Sequence, residues 1–262
     1  MDLGLDNLRV LVTAGAGGIG LEIATAFLRE GARVHVCDID ERAVRALAGR
    51  HPALSASVCD VADRSQVDRL FSDALGYLGG LDCLVNNAGV AGPTGNVQDI
   101  EPEDWDRCIE VNLTGQFNCA RVAIPHLLAQ GDGKRNCSIM NLSSLAGRFG
   151  FAMRAPYAAS KWGVIGFTKS LALELGPAGV RVNALLPGIV AGERQRRVLE
   201  AKAEARGIGF EEIERMAFSH TSIKEYVTAQ QLADLVVFTA SPRARTISGQ
   251  ALSVCGDTNM LA

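Results

Sequence analysis

Apolar and polar positions alternate along this chain in two rhythms. Short apolar, often β-branched runs at Arg9–Thr13, Arg33–Cys37, Leu54–Cys59, Asp82–Asn86, Asn136–Leu142, Val180–Leu186 and Gln250–Val254 predict strands. Between them, stretches with a helical apolar period predict helices near 18–30, 41–49, 64–78, 103–130, 157–176 and 229–240. Strands alternating with helices imply βαβ units and a doubly wound parallel sheet of the α/β class, with helices on both faces. Val10-Leu11-Val12 and Val34–Cys37 are nearly continuous apolar runs, as strands covered on both faces require. The rhythm breaks once. Residues 191–225 carry no strand pattern, only two helical pieces near 194–205 and 211–218. They read as an insertion on the side where such sheets bind ligands. With no repeat, linker or low-complexity tract, the expectation is a single domain over 1–262.

Composition narrows the class. The 48% apolar and 21% charged residues describe a foldable globular chain, and a net charge of −3 gives no general attraction to nucleic acid or anionic membrane. The seven cysteines (37, 59, 83, 108, 119, 137 and 255) never form Cys-x-x-Cys, and four lie in strand-like runs. They read as small buried hydrophobes in a reducing compartment. The start, MDLGLDNLRV, lacks a basic segment followed by an apolar one, and no apolar run is long enough for a bilayer. A soluble cytoplasmic protein is expected. His35, His51, His126 and His220 show no metal-ligand spacing.

Glycine is in excess, 28 residues against the roughly 18 that average usage would give. Four of them fall in Thr13-Ala14-Gly15-Ala16-Gly17-Gly18-Ile19-Gly20, between a strand and a helix. Glycines there permit a tight turn and close backbone approach, and the helix N-terminus offers free N–H groups to a pyrophosphate. Asp38 ends the next strand, 18 positions after Gly20, near the usual offset of about 20 for a ribose-binding carboxylate. That carboxylate suits the ribose hydroxyls of NAD and repels the 2′-phosphate of NADP. Neither Ile39 nor Asp40 is cationic, and Gly17 puts no Arg or Lys in the turn, so NAD is the expected cofactor.

A second constellation carries acid–base chemistry. Tyr157 and Lys161 form an i, i+4 pair at the start of a predicted helix. An ammonium beside a phenol favours the phenolate and makes it a general acid/base near neutral pH. Asn141-Leu142-Ser143-Ser144 ends a strand 13 positions before Tyr157. A strand-end hydroxyl at the carboxyl edge of the sheet can meet that phenol over one ligand and hydrogen-bond a carbonyl or developing alkoxide. Ser143 competes with Ser144 for this role, but strand alternation points the two in opposite directions.

Taken together, these residues resemble the short-chain dehydrogenase/reductase family of the classical type. The glycine turn, Asp60-Val61, Asn86-Asn87-Ala88-Gly89, Asn112, Ser144, Tyr157 with Lys161, and Pro187-Gly188 occur in family order over almost the whole chain. The resemblance implies a Rossmann-type sheet of seven parallel strands and nicotinamide-linked alcohol/ketone redox chemistry. It implies a tetrad of Asn112, Ser144, Tyr157 and Lys161. In it, Tyr157 exchanges the alcohol proton and Ser144 polarises the carbonyl. Lys161 lowers the Tyr157 pKa and holds the nicotinamide ribose, and Asn112 positions a water. It assigns Gly15, Gly17, Gly18, Ile19 and Gly20 to the phosphates, and Asp60 and Val61 to the adenine. Asn87, Ala88 and Gly89 fall to the cofactor side of the fourth strand, and Pro187, Gly188 and Ile189 to the nicotinamide. Two positions depart from the pattern: Ala14 stands where the family's first glycine falls, and Val190-Ala191-Gly192 replaces a threonine after Pro-Gly.

The substrate is less legible. The first part of the insertion, 191–206, holds five basic residues against three acids. This reads as a solvated helix with i, i+4 ion pairs, or as a wall from which Arg194, together with Arg154, grips an anion; Arg148 and His220 are further candidates. The expected activity is NAD-dependent oxidation or reduction of a small polar substrate, anionic or sugar-like. A 3-oxoacyl-thioester (acyl carrier protein) reductase is an alternative, as is a dinucleotide-binding regulator with no turnover. Apolar positions on more than one face of helices 103–130 and 157–176 predict helices packed on two sides; the family resemblance places dimer faces on these helices and implies a homotetramer, or a homodimer.

Overall fold

The computed structural model describes residues 2–129 and 136–261. Seven strands form one parallel sheet: β1 (Arg9–Thr13), β2 (Arg33–Asp38), β3 (Leu54–Val58), β4 (Cys83–Asn86), β5 (Ser138–Leu142), β6 (Arg181–Pro187) and β7 (Ala251–Val254). Their order across the sheet is β3-β2-β1-β4-β5-β6-β7. The chain reverses its direction of growth between β1 and β4, which opens a crevice at their carboxyl ends. The helices are α1 (Gly18–Arg29), α2 (Glu41–Arg50), α3 (Arg64–Leu78), α4 (Pro102–Ile109), α5 (Gly115–Ala129), α6 (Ala155–Leu175), α7 (Glu193–Arg206), α8 (Phe210–Ser219) and α9 (Ala229–Ala240).

Side-chain alternation divides the core into two layers. Val10, Val12, Val34 and Val36 point to one face, where they meet Ile23 and Phe27 of α1 and Leu232 and Val236 of α9. Leu11, Leu84, Ile139 and Val182 point to the other, against Phe71 of α3, Leu127 of α5 and Leu171 of α6. The central strands β1 and β4 are wholly buried, whereas the edge strands β3 and β7 are only partly covered.

Element boundaries shift by a residue or two from the sequence pattern. β3 stops before Cys59, β4 starts after Asp82, β5 after Cys137, β6 after Val180 and β7 after Gln250. The helix expected over 103–130 is interrupted by a π turn at Glu110–Thr114, and Gln130 lies outside the described residues. Such turns recur at functional sites, and Asn112, fully buried, is the middle residue of this one. The insertion forms α7 and α8, which share a small core of Leu199, Ala203 and Ile213. It leaves the body through a neck where Ala191 N–H bonds the Val227 carbonyl and Val227 N–H bonds Ile189, each at 2.8 Å.

Candidate active site

The glycine turn is built by sterics. A Cβ on Gly20 would fall 2.1 Å from the Ala14 carbonyl oxygen, and one on Gly15 would fall 2.6 Å from Cβ of Val36. Gly17 and Gly18 have nothing within 4 Å of that point, which leaves the turn open above the N-terminus of α1. Gly18 has φ +54°, and so does not tolerate a side chain without strain. Ala14 has φ +50°, so the alanine in the family's glycine position sits in the left-handed region at a strain cost of about 1–2 kcal/mol. Thr13 and Asn87 clamp the turn: Asn87 Nδ2 donates to the carbonyls of Thr13 (2.9 Å) and Ala14 (3.1 Å), and Thr13 Oγ1 accepts from the amides of Asn87 and Ala88. Asp38 faces the turn, accepting from the amides of Ala16 (3.2 Å) and Asp40 (3.1 Å).

Tyr157 lies in the first turn of α6, which Pro156 helps to start. Burial alone would push its phenol up. The charges of Lys161, Arg194 and Arg154 and the hydrogen bond with Ser144 outweigh burial and hold the phenol below its ordinary value. Burial likewise pulls Lys161 down, countered by Tyr157. Lys161 Nζ donates to the Leu142 carbonyl at 2.8 Å and lies 5.7 Å from the Tyr157 ring centre. Ser143 and Ser144 part ways as alternation requires: Ser143 donates to the Lys161 carbonyl, while Ser144 Oγ accepts from the Ala146 amide and meets Tyr157. Asn112 is fully buried; its Oδ1 accepts from Val90 N–H at 2.7 Å and its Nδ2 donates to the Val90 carbonyl and to Ser160 Oγ. A Cβ on Gly89 would lie 3.0 Å from Asn112 Oδ1 and 3.4 Å from Lys161 Nζ, so both groups converge on that glycine.

One cavity of about 540 Å³ gathers these parts. Gly17, Gly18, Ile19, Gly20, Asp38 and Asn87 line one end, and Gly89, Ser144, Tyr157, Lys161, Pro187, Gly188 and Ile189 the other. Gly188 approaches so closely that a Cβ would sit 2.7 Å from Cys255 Cα. An open glycine cradle, a carboxylate at the end of β2 and a Tyr–Lys pair in one cavity fit a nicotinamide dinucleotide.

Not every expected residue reaches the wall. Gly15, Ala88 and Asn112 stand behind it. Asp60 pairs with Arg107 at 2.9 Å and Val61 gives its carbonyl to Asn118, and neither lines the cavity. Two substrate candidates lie off this wall. Arg148 turns to β7, where it donates to Ser253 Oγ and the Ala251 carbonyl, and His220 lies beyond the cavity at the end of α8. Arg154 and Arg194 do line it. Sequence reasoning missed Phe151 and Lys202. Phe151 lines the cavity, and the buried Lys202 places Nζ 4.1 Å from its ring centre; burial first, then Arg206 and Arg154, pull Lys202 down to about 8. The signal was the position of Lys202 beside Leu199 and Ala203, on the apolar side of α7.

This fold and cavity define a nucleotide-dependent oxidoreductase, and comparisons with known proteins agree. A family model described as enoyl-(acyl carrier protein) reductase matches residues 14–257. A D-β-hydroxybutyrate dehydrogenase from Cupriavidus necator is 33% identical, covering 94% of this chain and 95% of its own. Among solved structures, a single-substitution variant of actinorhodin polyketide ketoreductase with NADPH is 35% identical, with TM-score 0.88 over 94% of this chain and 95% of that one. A 3-ketoacyl-(acyl-carrier-protein) reductase from Brucella melitensis with NADH is 31% identical, with TM-score 0.86 over 97% and 98%. The chain belongs to the short-chain dehydrogenase/reductase family and is an oxidoreductase acting on alcohol and keto groups. The regulator without turnover is set aside.

Proposed function

We propose that the chain is an NAD-dependent dehydrogenase that interconverts a secondary alcohol and a ketone, or an aldehyde and its alcohol, on a small polar substrate. The observation that carries this reading is Tyr157, placed with Ser144 and Lys161 on the wall of a cavity whose other end holds Asp38. When bound, NAD supplies hydride exchange at the nicotinamide ring. Tyr157 takes the alcohol proton at its phenol oxygen in oxidation and returns it in reduction. Ser144 holds the substrate oxygen. Lys161 keeps the phenol acidic and holds the nicotinamide ribose, while Asn112 fixes the backbone around Gly89. Gly17, Gly18, Ile19 and Gly20 take the pyrophosphate, Asp38 the adenosine ribose, Asp60 and Val61 the adenine, and Pro187, Gly188 and Ile189 the nicotinamide. Asp38, with no cation at 39 or 40, supports NAD over NADP.

The 3-oxoacyl-thioester reductase is the second reading. The family model's description and the two ketoreductase structures favour it; Asp38 weighs against the NADPH form. A rate comparison separates the two. Reduction of NAD⁺ by polyols, hydroxy acids or sugars supports the first, and NADPH-dependent reduction of a 3-oxoacyl thioester supports the second. Loss of all turnover in Tyr157→Phe is expected under both.

Exposed Trp162 and Leu173 on α6 and Phe117 on α5 support a homotetramer. Among the described residues the seven cysteines stand outside disulfides and six of them are buried, which supports a reducing, cytoplasmic setting. Among the described residues no helix is long and apolar enough to cross a membrane.

A further inference from the structure

Arg154 occupies an unusual position. Its side chain is 2% exposed, in the loop just before α6, with Cζ 5.3 Å from the Tyr157 ring centre and 5.7 Å from that of Phe151. Nη1 donates to Thr94 Oγ1 and Nη2 to the Ala91 carbonyl, but Nε is buried with no partner. This buried guanidinium is bonded to neutral acceptors with one N–H unmet, and burying a charge without a bonded counter-ion is costly. Desolvation by burial pulls its pKa down, Tyr157 offsets part of this, and the nearby charge of Arg194 lowers it further.

Arg194 faces Arg154 from the insertion. Its Nη1 donates to the Gly89 carbonyl at 2.9 Å, which leaves Nη2 and Nε for a further acceptor. The two arginines stand where the cofactor-sized cavity adjoins a second one of about 460 Å³, and both line each cavity. That second cavity also carries Arg197 and, among the described residues, no carboxylate. In the first, the lining carboxylates among the described residues are Asp38, at the far end, and Glu193, which pairs with Arg197.

We infer that Arg154 and Arg194 form an oxyanion subsite at the junction of the two cavities, and that the substrate is a short secondary alcohol or ketone ending in an anion. The inference rests on the oxidoreductase reading above. A guanidinium this near the Tyr157 ring puts the anion it holds within a few bonds of the carbon whose oxygen meets the phenol. The chemistry is a carboxylate, sulfonate or phosphate, each of which accepts two parallel N–H donors from an arginine fork. Arg154, preset by burial, fixes the anion; Arg194, on the insertion, closes over it and so ties substrate entry to the position of α7.

The test has two arms. In the first, NAD⁺ reduction is followed with 3-hydroxybutyrate, 2-hydroxypropanesulfonate and 2-hydroxypropyl phosphate, each beside a neutral counterpart of the same length, such as 3-hydroxybutanamide. The expected result is kcat/KM at least 100-fold higher for one anion than for its neutral partner, with that ratio falling at least tenfold in Arg194→Ala and in Arg154→Lys. The three anions rank the carboxylate, sulfonate and phosphate sources against one another. In the second arm, propanesulfonate, acetate and propyl phosphate are titrated calorimetrically into the protein with NAD⁺ present, and at least one binds tenfold more weakly to Arg194→Ala. Turnover of neutral alcohols at rates equal to the anions, or an unchanged anion ratio in both variants, overturns the subsite. Anion binding that depends on Arg194 without any turnover upholds the subsite and counts against the redox reading alone. Arg194 is a surface residue, so its variant separates binding from folding if Arg154→Lys fails to fold.

Discussion

Ser143 Oγ donates to the backbone carbonyl of Lys161 at 2.8 Å. Two adjacent serines at the end of β5 thus divide the work: Ser143 pins the α6 backbone under Lys161, and Ser144 reaches Tyr157. Ser144→Ala is expected to lower kcat by about 100-fold or more, the loss typical of an oxyanion donor, with little change in melting temperature. Ser143→Ala removes a buried hydrogen bond and is expected to cost about 1–2 kcal/mol of stability. Its effect on kcat is the smaller of the two. Denaturant titration and steady-state kinetics on both variants read the contrast.

The cofactor preference turns on Asp38. Its carboxylate also bonds the Ala16 and Asp40 amides, which fixes it toward the turn. Asp38→Ala is expected to raise KM for NAD⁺ and to cut the NAD⁺/NADP⁺ preference at least tenfold, consistent with the loss of one or more charge-assisted hydrogen bonds. An unchanged ratio would remove Asp38 from the ribose site.

Ala14 offers a stabilising substitution. With φ +50° it is strained, and Ala14→Gly is expected to gain about 0.5–1 kcal/mol once the added freedom of the unfolded chain is subtracted. Thermal denaturation without cofactor measures it, and a drop in melting temperature would show that the methyl group contributes packing that outweighs the strain.

Acid–base coupling sets a pH profile. Deprotonated Tyr157 is the base for oxidation, so kcat/KM rises with pH and levels off above the phenol's pKa, which Lys161 and Arg194 hold below the ordinary value. Removing the first charge, in Lys161→Met, is expected to move that limb to higher pH and to lower the plateau. Arg194→Ala is expected to move it in the same direction by less. A profile of kcat/KM from pH 6 to 10.5 decides, and an unmoved limb in Lys161→Met would break the coupling.

Assembly is testable on the outer helices. Leu173 is 82% and Trp162 52% exposed on α6. Leu173→Glu and Trp162→Glu are expected to lower the oligomeric state seen by light scattering without unfolding the chain. A wild-type monomer would refute the tetramer.

Much of the fold was legible because parallel strands buried on both faces leave uninterrupted apolar runs, as at Val10–Val12. The Tyr157–Lys161 pair and the glycine turn were legible because their chemistry lies in local spacing. What escaped depends on long-range contacts. Nothing local distinguishes Arg148, drawn to the edge of β7, from Arg154, buried against Phe151. Lys202 reads as one more charge on a polar helix until Phe151 is folded against it. The π turn at Asn112 escaped for the same reason: its driving force is the Val90 backbone, 22 residues earlier.

The cavity wall runs from Ala14 to Leu261. A molecule held there bridges segments contributed by almost the full length of the chain, so opening any one of them releases it. Occupancy therefore adds to the cost of global unfolding, by about 2.7 kcal/mol at a hundred times the dissociation constant. Resistance to heat thereby becomes a readout of which nucleotide the protein prefers, one that needs no substrate.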